Sequence, residues 1–381
     1  MRIGIDIRAL NPRCPTGVGK YIHSLLQNLA GLDGENAYAL YYPWRRNSQT
    51  WITKNLGRSY ITHMGWIPEF LSAERFNKLW LKRYLPSRIK KDGIDVFHGP
   101  SFFLPECSSA KRVVTIHDLS QMLFPELYDG ISSDAIIKRT KYAIEHADFI
   151  IADSESTRDD IIERYAVSPG RVETIYLGLH DNYANPIDRK YAEQVRQKHD
   201  LPDSFIFHVG SYHPRKNTEV ILEALKILKE EGKNVRLVLS GKKTVYFNRL
   251  QKVVCDLHLE KLVIFLGYLP DEEIRALYSA AMMMVYPSLY EGFCLPVVEA
   301  MAMGVPCVVA NTACLPEITG EAAIVKPGDK PEDIAGGIVT VMENREVRET
   351  LVKKGIERAK KFSWKETARK TMDVYQKVAG V

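Results

Sequence analysis

Short apolar runs alternate with helical patterns along most of the chain. The runs are mostly apolar at consecutive positions rather than at every second position, which is typical of parallel strands buried on both faces. They occur at residues 3–7, 95–98, 112–116, 149–152, 205–209, 236–239, 263–266, 282–286 and 307–310. Helical patterns follow many of them, at 18–29 and 136–146 and from Thr218, Asp271, Pro296 and Asp333 onward. Strands that alternate with helices predict an α/β protein built on doubly wound parallel sheets.

This alternation restarts after a polar segment at residues 180–202, which we interpret as a linker. A chain of 381 residues is long for one compact domain and sufficient for two. We therefore predict two Rossmann-like domains that face each other over a cleft, formed by residues 1–187 and 188–360. Residues 361–381 carry a further helical pattern, and Ser154 is the expected cap of an earlier helix.

Two glutamates, Glu291 and Glu299, lie eight positions apart where the strand 282–286 should give way to a helix. Pro296 suits the start of that helix and Gly304 its end. Glu291 should therefore lie at the carboxyl end of a strand, the edge where ligands bind in open α/β sheets, with Glu299 about one turn into the helix. Two such carboxylates could hold a polyhydroxylated ligand, although an isolated pair of glutamates is more often simply solvated.

Basic residues lie at the end of another predicted strand. The strand 205–209 ends at Gly210, and Arg215 and Lys216 come just before a helix that Asn217 can cap. The dipole and free amides of a helix N-terminus favour anions there, so the pair suits a diphosphate. On charge alone, such a pair is more often an ordinary surface pair.

Two further motifs are weak by themselves. Gly17 and Gly19 open a predicted helix but lack the third glycine of a dinucleotide fingerprint, and the phosphate-loop signature is absent. His117 and Asp118 end the strand 112–116, where a lone histidine is usually structural.

Residues 291–306 closely resemble the signature of the retaining nucleotide-sugar glycosyltransferases called family 4, in which two glutamates are separated by seven residues. One departure is Cys294, where that family often has glycine. The segment 210–217 and the final segment from Phe362 to Val378 also match, so the resemblance touches nearly the full length. It implies the GT-B fold, with an acceptor-side domain (1–187), a nucleotide-sugar-binding domain (188–360) and a final helix (361–381) that packs back on the first domain.

The resemblance also implies roles for individual residues. Arg215 and Lys216 would bind the donor diphosphate and stabilise the departing nucleotide, Glu291 would contact sugar hydroxyls, and Glu299 would accept hydrogen bonds from the ribose. His117 would line the acceptor and sugar side together with Asp118, and as a catalytic residue it would orient reactive hydroxyls. The resemblance leaves open whether His117 acts as a general base. The loop Gly267, Tyr268 and Leu269 would frame the nucleobase. The remaining donor-binding positions that the resemblance implies are Gly17, Gly19, Gly210, Gly292, Phe293, Cys294 and Leu295. Family members have no agreed protein nucleophile, and the leaving phosphate is favoured to help take the acceptor proton.

Charge is concentrated in residues 69–91, which hold seven basic and two acidic residues, a difference of +5, beside an apolar stripe that includes Phe76 and Trp80. A basic amphipathic helix can lie on an anionic membrane. The alternative is that the stripe faces the protein core. No nucleic-acid-binding motif accompanies the charge.

Other sequence features exclude several classes. The six cysteines include no Cys-x-x-Cys pair, so neither a disulfide framework nor a zinc site is indicated. No apolar run approaches the roughly 18 residues of a membrane-spanning helix, and Arg2, Asp6 and Arg8 argue against a signal peptide, so a cytoplasmic location is expected. No Asp-x-Asp lies at a strand end, and neither a metal nor another cofactor is expected.

The expected function is that of a retaining hexosyltransferase in polysaccharide biosynthesis, moving a sugar from a nucleotide-diphosphate donor to a glycan or lipid-linked acceptor. Residues 117–126 resemble bacterial surface-polysaccharide enzymes, many of them mannosyltransferases, which makes GDP-mannose the first choice of donor and a UDP-sugar the second. One alternative is a sugar-nucleotide epimerase of the same fold, against which Glu291 and Glu299 argue. Another is a catalytically silent nucleotide-sugar-binding subunit, against which the intact Arg215 and Lys216 argue.

Overall fold

The chain folds into two compact units, each built around one parallel sheet. The computed structural model describes residues 1–10, 17–32, 34–44, 60–66, 80–128, 130–183, 185 and 187–381. Unit 1 comprises Met1–Gly178 together with Ser363–Val381, and unit 2 comprises Leu179–Phe362. The division therefore falls after Gly178 rather than after residue 187.

Unit 1 contains seven parallel strands in the order β3-β2-β1-β4-β5-β6-β7. The strands are β1 (Arg2–Asp6), β2 (Ala37–Trp44), β3 (Tyr60–Trp66), β4 (Val96–Gly99), β5 (Lys111–Ile116), β6 (Phe149–Ala152) and β7 (Val172–Thr174). The helices described in this unit are α1 (Gly17–Leu32), α2 (Leu85–Lys91), α3 (Ser120–Leu123), α4 (Gly130–His146), α5 (Glu155–Tyr165) and, from the end of the chain, α14 (Trp364–Ala379).

Unit 2 contains six parallel strands in the order β10-β9-β8-β11-β12-β13. The strands are β8 (Ile206–Val209), β9 (Leu237–Ser240), β10 (Val263–Gly267), β11 (Met283–Tyr286), β12 (Cys307–Ala310) and β13 (Ala323–Lys326). The helices are α6 (Arg189–Lys198), α7 (Thr218–Glu230), α8 (Phe247–Asp256), α9 (Asp271–Ala280), α10 (Leu295–Ala302), α11 (Leu315–Thr319), α12 (Pro331–Glu343) and α13 (Arg345–Ala359).

The central strands are covered on both faces. Every residue of β4, β6, β9, β11 and β12 is buried, which is why their sequences read as continuous apolar runs rather than alternating ones. In unit 2 the buried side chains of β9, β11 and β12 form one core with those of α7 and α12. The predicted fold class is confirmed by these two doubly wound parallel sheets.

The interpretation of residues 180–202 as a linker is wrong. Helix α6 occupies residues 189–198 within this segment and packs against α9 inside unit 2. Its composition is polar because only a narrow stripe is internal, where Ala192 and Val195 are buried. The Asp188 side chain caps the helix by accepting a hydrogen bond from the Lys190 amide at 3.0 Å.

The two predicted helix caps have different outcomes. Ser154 caps α5 as expected, because its Oγ accepts a hydrogen bond from the amide of Thr157 at 3.1 Å. Asn217 does not cap α7. Its backbone is left-handed, with φ of 52°, and its side-chain amide donates instead to the carbonyl oxygen of Gly328 at 2.6 Å.

Helix α14 belongs to unit 1, although it follows unit 2 in the chain. Its Tyr375 hydroxyl is 2.7 Å from Nδ1 of His98 in β4, and Thr367 Oγ1 donates to the carbonyl oxygen of Tyr176 at 2.7 Å. Where the chain enters the helix, Gly178 lies so close to Trp364 that a Cβ on the glycine would be 2.1 Å from the Trp364 backbone nitrogen. The final helix is therefore an integral part of the unit 1 core.

The basic amphipathic segment lies partly outside the described residues, which begin again at Trp80. Trp80 starts a π-helical turn that leads into α2, and Trp80, Leu85 and Ile89 are buried in the unit 1 core. The basic side chains of the same stretch are exposed: Lys82, Arg83, Lys90 and Lys91. In this described part Trp80, Leu85 and Ile89 pack inside the protein, whereas these four basic side chains and Tyr84, which is 41% exposed, face solvent. Nowhere in the described ranges is there a helix of the length and apolarity that crossing a bilayer requires.

Candidate active site

The predicted site residues of unit 2 meet where the strand order reverses. Strand β8 lies between β9 and β11, so the chain leaves β8 and β11 on opposite faces of the sheet and opens a crevice at their carboxyl ends. Arg215 and Lys216 follow β8 in a short 3-10 turn, and Glu291 follows β11. Residues 75 positions apart are thereby brought to one edge of the sheet.

Arg215, Lys216 and Glu291 form a compact group that we call the cation–carboxylate cluster. Nη1 of Arg215 lies 2.9 Å from Oε2 of Glu291, and Nζ of Lys216 lies 2.6 Å from Oε1. Each carboxylate oxygen is thus matched to one cation. Two cations and one carboxylate leave the cluster with a net charge of +1, which suits it to an anionic ligand.

Two residues that sequence reasoning missed support this cluster. The Ser288 hydroxyl donates to Oε1 of Glu291 at 2.6 Å, and the Tyr286 hydroxyl accepts a hydrogen bond from Nζ of Lys216 at 2.6 Å. Tyr286 ends the apolar run of β11 and was read as core. Its position at the carboxyl end of that strand was the available signal.

Glu291 remains ionised in this environment. Burial by itself would raise the pKa of this carboxyl, but the charges of Arg215 and Lys216 outweigh burial and lower the pKa to about 2. A buried carboxylate with both oxygens bound to cations is held in one orientation.

Helix α10 begins directly after the cluster, with an unusual residue at its start. Cys294 is buried and left-handed, with φ of 71°, and makes no side-chain cap hydrogen bond. The left-handed region favours glycine, which accounts for the glycine that the resembling family often has at this position. Gly292 and Phe293 are buried beside it, and Leu295 opens the helix.

Glu299 lies about one turn into α10, as predicted, and is buried with 8% of its surface exposed. The hydroxyl of Tyr183 lies near this carboxylate: burial raises the pKa of Tyr183 strongly, and the charge of Glu299 adds to the effect. Sequence reasoning did not single out Tyr183.

Three loops at the same edge are packed closely together. The Gly210 amide donates to Ser240 O at 2.9 Å, and the Gly241 amide donates to Gly267 O at 2.8 Å, which connects the ends of β8, β9 and β10. Gly267 has φ of +72°, the conformation that glycine permits. Tyr268 follows with 56% of its surface exposed, while Leu269 is buried.

The predicted residues of unit 1, His117 and Asp118, are hydrogen-bonded to protein groups. Nδ1 of His117 lies 2.7 Å from Oδ2 of Asp153, and its Nε2 lies 2.9 Å from the carbonyl oxygen of Pro100. Asp118 bonds within its own loop, accepting from the amide and hydroxyl of Ser120 at 3.0 and 2.7 Å. Both residues lie at the carboxyl edge of β5, where the sequence placed them, and their role on the acceptor side stays a prediction.

Gly17 and Gly19 lie in the first turn of α1, where Gly17 is exposed and Gly19 is buried. Residues 11–16 lie outside the described residues, so a close approach of this loop to a ligand stays a prediction. Within the described ranges, no group of three or more His, Cys, Asp and Glu side chains is placed to hold a metal ion.

Comparison with known families matches almost the whole chain in two parts. The family model described as Glycosyl transferases group 1 matches residues 191–358, and the one described as Glycosyltransferase Family 4 matches residues 15–183. O-antigen chain mannosyltransferase B of Escherichia coli is 31% identical over 371 residues, which cover 95% of this chain and 96% of that protein. The serotype-specific mannosyltransferase WbdA of Escherichia coli is 30% identical over 275 residues, covering 70% of this chain and 34% of that protein.

Solved structures share the fold at lower identity. Sucrose-phosphate synthase of Thermosynechococcus elongatus has a TM-score of 0.76 at 19% identity, covering 99% of this chain and 98% of its own. HepE of Anabaena, solved in complex with UDP-glucose, has a TM-score of 0.73 at 18% identity, covering 99% and 100%. These likenesses extend over both units and confirm the expected GT-B architecture.

Proposed function

Because this chain belongs to the group 1 glycosyltransferases and to glycosyltransferase family 4, we propose that it transfers a hexose from a nucleotide-diphosphate donor with retention of anomeric configuration. The observation that carries this proposal is the cation–carboxylate cluster at the strand-order reversal of unit 2. It combines buried positive charge for a diphosphate with a fixed carboxylate for sugar hydroxyls, and Glu299 follows one turn further along α10.

In the proposed reaction Arg215 and Lys216 bind the donor diphosphate. Their charge stabilises the negative charge that grows on the leaving phosphate in the transition state. Glu291 contacts hydroxyls of the transferred sugar, Glu299 accepts from the ribose hydroxyls, and the loop Gly267, Tyr268 and Leu269 frames the base. The leaving phosphate assists removal of the acceptor proton.

We propose GDP-mannose as the donor and a glycan or lipid-linked glycan of a bacterial surface polysaccharide as the acceptor. Support comes from the printed names of the relatives, an O-antigen chain mannosyltransferase and a serotype-specific mannosyltransferase. A UDP-sugar is the second choice of donor, since HepE was solved with UDP-glucose. Epimerization is not favoured, because these relatives are named as transferases.

The test is release of nucleoside diphosphate from a panel of nucleotide sugars that includes GDP-mannose, UDP-glucose and UDP-galactose. The double variant Arg215→Ala, Lys216→Ala should lose release with the preferred donor, while the matched surface variant Lys226→Ala should keep it. NMR of the product anomer then decides between retention and inversion. Full activity of the folded double variant would remove the basis for the diphosphate site.

We also propose that no metal is required. Two side-chain cations near a helix N-terminus can neutralise a diphosphate without one. Transfer should continue in excess EDTA. Loss of activity in EDTA, restored by magnesium or manganese, would contradict this part of the proposal.

A peripheral membrane contact through residues 69–91 is proposed on charge alone. Because Trp80, Leu85 and Ile89 are internal, Lys82, Arg83, Lys90 and Lys91 would act by electrostatic attraction, each contributing about 1 kcal/mol near an anionic surface. Co-sedimentation with phosphatidylserine vesicles should occur at low salt and disappear at high salt. Replacing these four residues with Glu should abolish it, and wild-type protein that ignores such vesicles favours a water-soluble acceptor.

A further inference from the structure

His117 has no nitrogen left for a substrate. Its Nε2 is 2.9 Å from the carbonyl oxygen of Pro100, which can only accept a hydrogen bond, so Nε2 carries a hydrogen. Its Nδ1 is 2.7 Å from Asp153 Oδ2, and one further proton lies between these two atoms, whichever of them holds it. The ring can therefore accept no proton unless one of its two hydrogen bonds breaks.

The groups packed around the ring favour this state. Asp153 follows β6, and Asp118 is next to His117 in the loop after β5. His98 belongs to β4, and the ring of Tyr21 in α1 meets the His117 ring edge-on, with centroids 4.9 Å apart. Burial would lower the pKa of His117, but the charge and hydrogen bond of Asp153, together with Asp118, raise it overall. Burial lowers the pKa of His98 to about 3, so this neighbouring ring is neutral.

The ring also connects three neighbouring strands. Strands β4, β5 and β6 are adjacent in the sheet, and Pro100, His117 and Asp153 follow them in that order. The loop after β4 contains Phe102, whose backbone is left-handed with φ of 61° and whose amide donates to Thr115 O at 3.2 Å. A non-glycine residue in that region persists only where its surroundings hold it, and the Phe102 ring packs edge-on against His117 at 5.2 Å.

We propose that His117 and Asp153 act as a clamp that positions the loop 99–104 for the acceptor, and that His117 does not serve as a general base. Asp153, which no sequence motif identified, is the positioning residue: it orients the ring so that Nε2 faces Pro100. The acceptor part of this inference rests on the proposed glycosyl transfer. The clamp itself depends only on the geometry of unit 1.

The clamp is tested first without any substrate. In nitrogen-15 NMR of the full chain, both ring nitrogens of wild-type His117 should stay protonated between pH 6 and pH 8. In Asp153→Ala the charge and the hydrogen bond that favour the protonated ring are gone, so His117 should lose a proton within this range. Asp148→Ala, at a carboxylate that accepts from the Arg112 amide elsewhere on the sheet, is the matched control and should leave His117 unchanged.

The proposal is wrong if wild-type His117 becomes neutral in this pH range and its Nε2 carries no hydrogen. This measurement uses the wild-type protein, so it does not depend on whether a variant folds. Hydrogen exchange gives a second measure. At one fixed pH, the segment 99–104 should exchange at least about tenfold faster in Asp153→Ala than in wild type, since the ring that supports the loop is no longer held by residue 153. Unchanged exchange together with a deprotonated ring removes the positioning role.

The pH dependence of GDP-mannose turnover separates a clamp from a base by its sign. In Asp153→Ala nothing holds the hydrogen of the neutral ring on Nε2, so a clamp loses its bond to Pro100 as His117 deprotonates, and activity should fall as pH rises from 6 to 8. A general base becomes competent on deprotonation, so activity would instead rise, and that outcome contradicts the proposal. If no nucleotide sugar is turned over, the proposed function fails, whereas NMR and hydrogen exchange still decide on the clamp.

Discussion

Glu291 is bonded to the same two cations that a donor diphosphate would need. Its carboxylate therefore competes with the phosphates for Arg215 and Lys216. In Glu291→Gln the cluster changes from +1 to +2, so we expect the sugar-free nucleoside diphosphate to bind at least tenfold more tightly. One charge-assisted hydrogen bond is worth about 1.5 to 3 kcal/mol, which is consistent with this size. Sugar transfer should fall, because the amide replaces the acceptor of sugar hydroxyls.

Calorimetry with GDP and UDP measures this effect directly. Glu299→Gln is the matched control, since Glu299 is also a buried glutamate but is proposed to bind ribose, and it should weaken binding of the same nucleotides. Weaker nucleotide binding by Glu291→Gln would show that the carboxylate orients the cations rather than competing for them.

The acid stability of unit 2 should depend on the same carboxylate. The folded pKa of Glu291, about 2, lies below its ordinary value of 4.5, so its ionised form stabilises the fold above pH 4.5, and this contribution disappears as pH falls through 2. The difference corresponds to roughly 3 kcal/mol at neutral pH. Denaturant unfolding of wild type and Glu291→Gln should show a constant gap from pH 5 to pH 8 that narrows below pH 4.5. A gap that widens on acidification would contradict the assignment.

The sequence identified Arg215, Lys216, Glu291 and Glu299 as candidates because each lies at the end of a predicted strand or just inside a helix. It could not show that Glu291 would bind both cations, since contact between residues 75 positions apart depends on strand order. The order β8-β11 brings those two loops together. The contact of His117 with Asp153 could not be predicted for the same reason: Asp153 follows β6, the adjacent strand, and only the strand order makes the two residues neighbours.

The residue just before helix α10 has a strained backbone, so replacing it should change the stability of the protein. Cys294 has φ of 71°, which costs a non-glycine residue roughly 1 to 2 kcal/mol. Cys294→Gly should therefore raise the free energy of unfolding by about 1 kcal/mol. This gain is reduced by the packing energy that is lost when the buried thiol is removed. Cys294→Ala keeps the strain and also loses the sulfur, so it should destabilise. Denaturant unfolding of the three proteins tests this order, and a glycine variant less stable than the alanine variant would refute the account.

The turn after β9 should tolerate no side chain. A Cβ on Gly241 would lie 1.6 Å from the carbonyl oxygen of Gly210, at the edge that carries the cluster. Gly241→Ala should therefore displace the Gly210 loop and weaken nucleotide binding, with a loss of stability of several kcal/mol. Gly336→Ala is the control: nothing lies within 4 Å of its Cβ position in α12, and it should stabilise by about 0.5 to 1 kcal/mol. Equal effects of the two substitutions on thermal unfolding would contradict this reading.

Prediction of the elements was best where burial on both faces leaves an apolar run, as in β6 and β12, whose bounds match residue for residue. Strands β2 and β13 were missed. All four residues of β13, at the edge of its sheet, are only partly buried, and β2 carries Pro43 near its end, so neither has the sequence of a typical central strand. A continuous apolar run indicates burial on both faces, and a strand without such a run is not recognised by this pattern.

At the level of the whole chain, the last segment completes a unit that began at residue 1. All residues of the cation–carboxylate cluster lie in unit 2, whereas α14 packs against α1 and supplies Tyr375 to His98 in unit 1. Deleting Ser363–Val381 should therefore expose the unit 1 core and leave the nucleotide site intact. The amides of β1, β4 and β5 should lose protection from hydrogen exchange, whereas those of β8 and β11 should keep it, and calorimetry should still detect nucleoside diphosphate binding.

Tyr375→Phe is the control that removes only the hydroxyl, and it should lower the free energy of unfolding by about 1 to 2 kcal/mol with both units folded. Loss of protection in both units to the same degree would show that they unfold as one, and retained protection in unit 1 would show that α14 is dispensable to its core.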